Sequence, residues 1–241
     1  SIYQDINIRL YRALQAYLNT GNAIKLNEAE DLVQRISESI ESSHFVPDVM
    51  AALQTELDQL LIKMADKYRA LGKLSGNEQA LLEHAEHELF DYAASLSDYA
   101  MEGYDKNPNA AQQLMSLSNQ FLYESKTLSN ARQSLVASND ESLKANIDNS
   151  LNNLSRLNAQ ISQVGLLGVF EQRDDDMLSM FDDEEDKTDK GEELVNTLRT
   201  VVNRYPKEFA GTLETVRNKN ASLQAILQDI QTLEALTDQV A

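Results

Sequence analysis

Three arginines stand out as groups able to hold an anion. Arg9 and Arg12 lie three residues apart in "INIRLYRALQAYL" (6–18), and Arg132 lies in "SNARQSLV" (129–136). Side chains three apart on a helix are neighbours. Two guanidiniums side by side make a fork that fits a carboxylate or a phosphate. The surrounding chain is acidic, with 39 Asp and Glu against 21 Lys and Arg and a net charge of −18. Arg9 and Arg12 flank the apolar stripe Ile6, Leu10, Ala13, Leu14 and Tyr17, on the side that also carries Asp5 and Ala16. They therefore either bind an anion or pair with Asp5 or with acidic side chains of neighbouring helices.

Arg132 falls inside the apolar face formed by Ala110, Leu114, Leu117, Phe121, Leu128 and Leu135. A buried guanidinium keeps its charge and needs a partner. That partner is either an anionic ligand shared with Arg9 and Arg12 or an acidic side chain, such as Glu124 or one from the preceding helix. Ser150 and Asn158 lie on the core face of Leu143, Ile147, Leu151, Leu154, Leu157 and Ile161. Buried polar groups need hydrogen-bond partners. A small polar ligand would satisfy them, as would interhelical bonds or water. Arg35, Arg69 and Arg156 read as solvent-facing.

Other motifs argue against catalysis and against metal. In "EHAEHELFDY" (83–92), His84 and His87 are one turn apart among Glu83, Glu86 and Glu88. A di-iron bundle needs two such helices with inward ligands, whereas here the inward face is Leu82, Ala85, Leu89, Tyr92 and Leu96 and His87 faces out. This reads as a solvated helix. The acidic run "RDDDMLSMFDDEEDKTDK" (173–190) lacks the glycine and the ligand spacing of a calcium loop. No phosphate-binding glycine loop, nucleophile elbow or paired-carboxylate motif occurs. The expectation is a binding protein without enzyme activity, metal or cofactor.

Composition narrows the partners. Nucleic acid and anionic membrane surfaces call for a basic face, which a net charge of −18 does not supply. The chain has no Cys, which excludes a disulfide framework and Cys-ligated zinc. No run approaches 18 consecutive apolar residues, so nothing in it reads as a membrane span. There is no signal peptide and no initiator Met, and both ends fall inside helical patterns. This suggests a segment excised from a longer protein, with helices continuing on either side.

The elements that must position these residues are helices. Only 3 Pro and 8 Gly punctuate 241 residues, and 3.6-residue periodicity dominates. The first helix is expected over about 2–44 with an interruption at 19–22, and the second from Pro47 to about 71. "LGKLSGN" (71–77) reads as a break before a helix at about 78–104. Further helices are expected over about 108–137, from 138–140 to about 170, and from about 192 to the end, the last interrupted at Pro206. Aligning the breaks at Gly21, Gly76, Asn139 and Pro206 gives an all-α fold of two stacked four-helix bundles, built from two long and four shorter helices. One bundle would hold about 1–21, 76–137 and 206–241, and the other about 22–75 and 138–205.

A roughly 240-residue all-helical segment opening with "INIRLYRALQAYL" resembles the helical bimodular sensor domain of bacterial chemotaxis receptors, and looks most like the McpS type. The resemblance covers essentially the whole chain. It implies a periplasmic domain between two transmembrane helices of an inner-membrane receptor, dimeric when signalling. It implies small organic acids as ligands: malate or succinate in the membrane-proximal module, and a short acid such as acetate in the distal one. Arg9 and Arg12 match the anion-binding pair on the first helix, with Arg132 as a third arginine. Ser150 and Asn158 are candidates for the distal site. Two other classes stay open at this point: a histidine-kinase sensor domain that binds a partner protein, and a helical scaffold without a ligand.

Overall fold

The computed structural model describes residues 2–171 and 188–239. The acidic stretch read as irregular falls, over 172–187, outside them. The chain is all-α. In order come α1 (Ile2–Thr20), α2 (Ala23–Glu41), α3 (Pro47–Lys63), a π turn (Met64–Tyr68), α4 (Arg69–Glu102), α5 (Pro108–Ser138), α6 (Lys144–Val164) and α7 (Lys190–Thr237). No helix among the described residues is long and apolar enough to cross a membrane.

The chain forms two compact units, one of residues 1–80 and 211–241 and the other of residues 81–210. Four helical segments build the first unit. Leu10, Leu14 and Tyr17 of α1 meet Leu32, Ile36 and Ile40 of α2, Leu53, Leu57 and Leu60 of α3, and Leu223, Ile226 and Ile230 of α7. These positions recur at three- and four-residue spacing, so each helix presents one apolar stripe to a shared core. The second unit has the same plan. Leu82, Leu89 and Leu96 of α4, Leu114, Phe121 and Leu128 of α5, Ile147, Leu154 and Ile161 of α6, and Leu198, Val201 and Tyr205 of α7 are all buried.

The residues of each unit differ from the expected modules, because two local readings change. The interruption at 19–22 is a reversal. Gly21 adopts φ +69°, and Asn22 caps α2 by accepting from the Ile24 N–H at 3.0 Å. The chain then returns alongside α1, and the Tyr3 hydroxyl meets Ser43 Oγ at 3.1 Å across the far end of the hairpin. Residues 22–75 therefore pack with 1–21 rather than in a separate bundle.

The expected break at 71–77 does not occur. Helical structure runs without interruption from Pro47 to Glu102. Gly72 and Gly76 serve close packing: a Cβ on Gly72 would stand 2.5 Å from the Tyr17 ring, and one on Gly76 would stand 3.1 Å from the Thr20 carbonyl oxygen. Pro206 likewise lies inside α7 without interrupting it. The break at Asn139 is real. It ends α5 in the left-handed conformation at φ 54°, and α6 then returns along α5 as a second hairpin. The two long helical runs are thus the third and the last in the chain, and α4 and α7 each contribute to both units.

Candidate ligand-binding site

Arg9 and Arg12 project from the solvent side of α1. The helix buries Asn7, Leu10, Ala13, Leu14, Tyr17 and Leu18, which leaves Asp5, Ile8, Arg9 and Arg12 exposed. Positions 5, 8, 9 and 12 follow the i, i+3, i+4, i+7 rule and form one face. Among the described residues neither arginine makes an ion pair, so the anticipated pairing with Asp5 does not form. The two guanidiniums stand one turn apart on this face, and guanidinium is a group whose geometry matches a carboxylate in a bidentate manner. Ile8, 51% exposed, lies at the edge of the same face.

Arg132 is held by a partner of its own. It belongs to the second unit, whereas Arg9 and Arg12 belong to the first. Its side chain is engaged by Glu86, with Nε donating to Oε2 at 2.9 Å and a terminal nitrogen donating to Oε1 at 2.6 Å. Ser129 donates to the same carboxylate at 2.8 Å and the Tyr205 hydroxyl at 2.6 Å. Burial works against the charge on Arg132, but the bonds and charge of Glu86 outweigh it and hold the guanidinium above its usual pKa. Burial, reinforced by Glu86, likewise raises the Tyr205 hydroxyl. Of the two readings open for Arg132, this geometry is that of the buried ion pair. Glu86 had read as part of a solvated helix. The overlooked signal is its register, four residues after Leu82 and three before Leu89, on the core side.

The neighbouring histidines are held at the surface. His84 Nε2 lies 3.0 Å from Glu88 Oε1, and His87 packs edge-on to Phe90 at 5.5 Å between ring centroids. Among the described residues no cluster of three or more His, Cys, Asp or Glu is arranged to hold a metal.

Ser150 and Asn158 lie on α6 in the second unit. Ser150 is buried, and Asn158 is half-buried with its Oδ1 inside and unpartnered. Eight residues of helix put them about 12 Å apart at about 1.5 Å per residue. One two-carbon acid can therefore touch only one of them.

The second unit also contains a cavity of about 500 Å³ that none of the candidate residues line. Its apolar wall is made by Leu96, Leu114, Ile161, Leu166 and Val195, and its mouth by Ser162, Glu192, Asn196 and Arg199. A buried clasp sits beside it. Asp189 accepts from the Tyr99 hydroxyl at 2.6 Å and from the backbone N–H groups of Gly168, Gly191 and Val169 at 2.8, 2.8 and 3.2 Å. Burial, with help from Asp189, raises the Tyr99 pKa. The sequence signal for the cavity mouth was the spacing of Glu192, Val195, Asn196 and Arg199, again i, i+3, i+4, i+7.

No family model matches the chain, and no solved structure matches it. Among curated proteins, it is similar to the methyl-accepting chemotaxis protein CtpL of Pseudomonas aeruginosa, with 27% identity over 248 residues. The match takes in 96% of this chain but only 37% of the relative's length. Over nearly its whole extent, this helical chain is a distant relative of a segment of a chemotaxis receptor.

Proposed function

We propose that this chain is the extracytoplasmic sensor domain of a bacterial chemoreceptor of the helical bimodular type, and that it binds small organic acids. The single observation that carries the ligand class is the pair Arg9 and Arg12, exposed and free of ion pairs among the described residues in a chain of net charge −18. Similarity to a chemotaxis protein supports the receptor context. In this reading a C4-dicarboxylate such as malate or succinate bridges the two guanidiniums through one carboxylate. Its second carboxylate engages the same face of a second copy of the chain. In this reading the domain lies on the periplasmic side of the inner membrane. Transmembrane helices flank the segment, and α7 carries the signal toward them. The ligand binds the signalling arrangement better than the resting one, as any population shift requires. The domain binds its ligand and does not convert it. A short acid such as acetate would occupy the second unit, contacting Ser150 or Asn158 but not both.

Calorimetric titration of the domain with malate and succinate tests the proposal. Saturable heat is expected for the unaltered chain, with at least tenfold weaker binding in Arg9→Ala and in Arg12→Ala. Absence of heat with either acid, or an affinity that neither substitution changes, would sink it.

A further inference from the structure

The cavity in the second unit has a mouth of mixed charge over an apolar wall. We propose that it is a binding site for an α-amino acid with an aliphatic side chain. The argument begins with α7. Glu192, Val195, Asn196 and Arg199 line the cavity from one face of this helix. They offer in order an acid, an apolar side chain, an amide and a base. The outer two are about 10 Å apart along the axis at about 1.5 Å per residue. Helical side chains lean toward the N-terminus, and the long Arg199 side chain can reach back over Asn196, one turn earlier. Among the described residues neither Glu192 nor Arg199 makes an ion pair, so both charges are available at the mouth.

A ligand matched to this mouth carries both a cation and an anion, with an apolar group beside them. An α-amino acid does: its ammonium suits Glu192, its carboxylate suits Arg199, and Asn196 can donate to one and accept from the other. A plain dicarboxylate does not fit, because Glu192 would repel one end of it. The interior sets the side chain. The buried Leu96, Leu114 and Ile161 leave an uncharged wall, and the hydroxyl of Tyr99, which also lines the cavity, is already committed to Asp189 and to the Leu167 N–H. An aliphatic group is therefore accepted and a charged one rejected, since burying an unpaired charge is costly. About 500 Å³ lies within the range typical of small-molecule sites. Favourable interaction of Glu192 with the start of α7 would account for that residue alone. It accounts neither for Arg199 two turns later nor for the apolar hollow beneath.

This site goes beyond the organic-acid reading and is independent of it, since Arg9 lies in the other unit. The test is titration calorimetry of the 241-residue chain with L-leucine, L-isoleucine and L-valine. Two truncated probes accompany them: 4-methylpentanoate, which lacks the ammonium, and isopentylamine, which lacks the carboxylate. Saturable binding of at least one amino acid is expected, with both truncated probes at least tenfold weaker. Arg199→Ala and Glu192→Gln should each weaken amino-acid binding tenfold or more. Both positions are exposed, and circular dichroism checks that the fold survives. Three results would each overturn the proposal: no saturable binding of any of the three amino acids, affinities that neither substitution changes, or 4-methylpentanoate binding as tightly as leucine. A malate response abolished in Arg9→Ala but kept in Arg199→Ala reports on the other site, so the two readings fail separately.

Discussion

Arg132 and Glu86 form a two-pronged ion pair with almost no access to water, at 2% and 1% exposure. Ser129 and Tyr205 complete the carboxylate's bonding, so helices α4, α5 and α7 meet at one charged node in the second unit. Removing one partner leaves the other buried and unpaired, which typically costs about 3–5 kcal/mol. Urea denaturation of Glu86→Ala should show a loss of that order. Replacing both members with apolar groups of similar size, Glu86→Leu with Arg132→Met, should recover most of it. A single variant as stable as the unaltered chain would mean that the node does not hold this unit together.

That node also shows what the sequence could and could not convey. Its periodicity made Arg132 a core position and demanded a partner, and the helix that supplies it was among the possibilities. The identity of Glu86 was hidden because a run rich in Glu and His reads as solvated until the register of Leu82 and Leu89 is weighed. The helical class was legible throughout, since so few breakers interrupt the apolar stripes. The grouping of segments was not. A glycine near the middle of a helical pattern marks a break, a reversal or a close contact equally well. Gly21 proved to be a reversal, while Gly72 and Gly76 were contacts. The exposure of Arg9 and Arg12 followed from their place beside the core stripe. The cavity did not, because it is bounded by residues from four helices whose adjacency only the fold supplies.

Gly72 gives a prediction whose sign is diagnostic. Glycine inside a helix is less favourable than alanine by about 1 kcal/mol, so Gly72→Ala would stabilise an unobstructed helix. Here the new Cβ would stand 2.5 Å from the Tyr17 ring, whose hydroxyl is fixed by donating to the Arg69 carbonyl at 2.7 Å. Overpacking of this kind costs about 1–3 kcal/mol. The thermal midpoint of Gly72→Ala should therefore fall. Gly21→Ala should fall as well, because its φ of +69° and the Gly72 carbonyl oxygen 2.6 Å from a Cβ both oppose a side chain. A rise in either midpoint contradicts the packing described here.

Asp189 makes a different prediction, about local order. Its two oxygens accept four hydrogen bonds, and an asparagine would turn one of those acceptors into a donor facing N–H groups. Hydrogen bonds to a charged group contribute about 1.5–3 kcal/mol. Asp189→Asn should therefore speed amide exchange at Gly168, Val169 and Gly191 by tenfold or more. The first unit should keep its protection. Unchanged exchange at those three amides would show that the clasp does not restrain the segment.

Lys219 gives the pH dependence. It is 1% exposed in the first unit, its ammonium donates to Ser75 Oγ at 3.3 Å, and Glu78 lies close enough to act on it electrostatically. Burial drives its pKa down to about 8, against the opposing pull of Glu78. Glu78 is itself raised by burial and is relieved in part by a 2.9 Å bond from Thr215 and by the charge on Lys219. The folded-state pKa of Lys219 thus lies below its unfolded value. Above about pH 8 the folded chain releases a proton that the unfolded chain retains, so this group's contribution to stability rises with pH until the unfolded lysine also titrates. Between pH 8 and 9.5 the gain is on the order of 1–2 kcal/mol at about 1.4 kcal/mol per pH unit. Denaturation midpoints of the unaltered chain and of Lys219→Met, compared at pH 7.5 and 9.5, isolate the effect from the other titrating groups. The unaltered chain should gain on the variant as pH rises. A difference that stays constant, or moves the other way, would mean that Lys219 keeps its proton in the folded state.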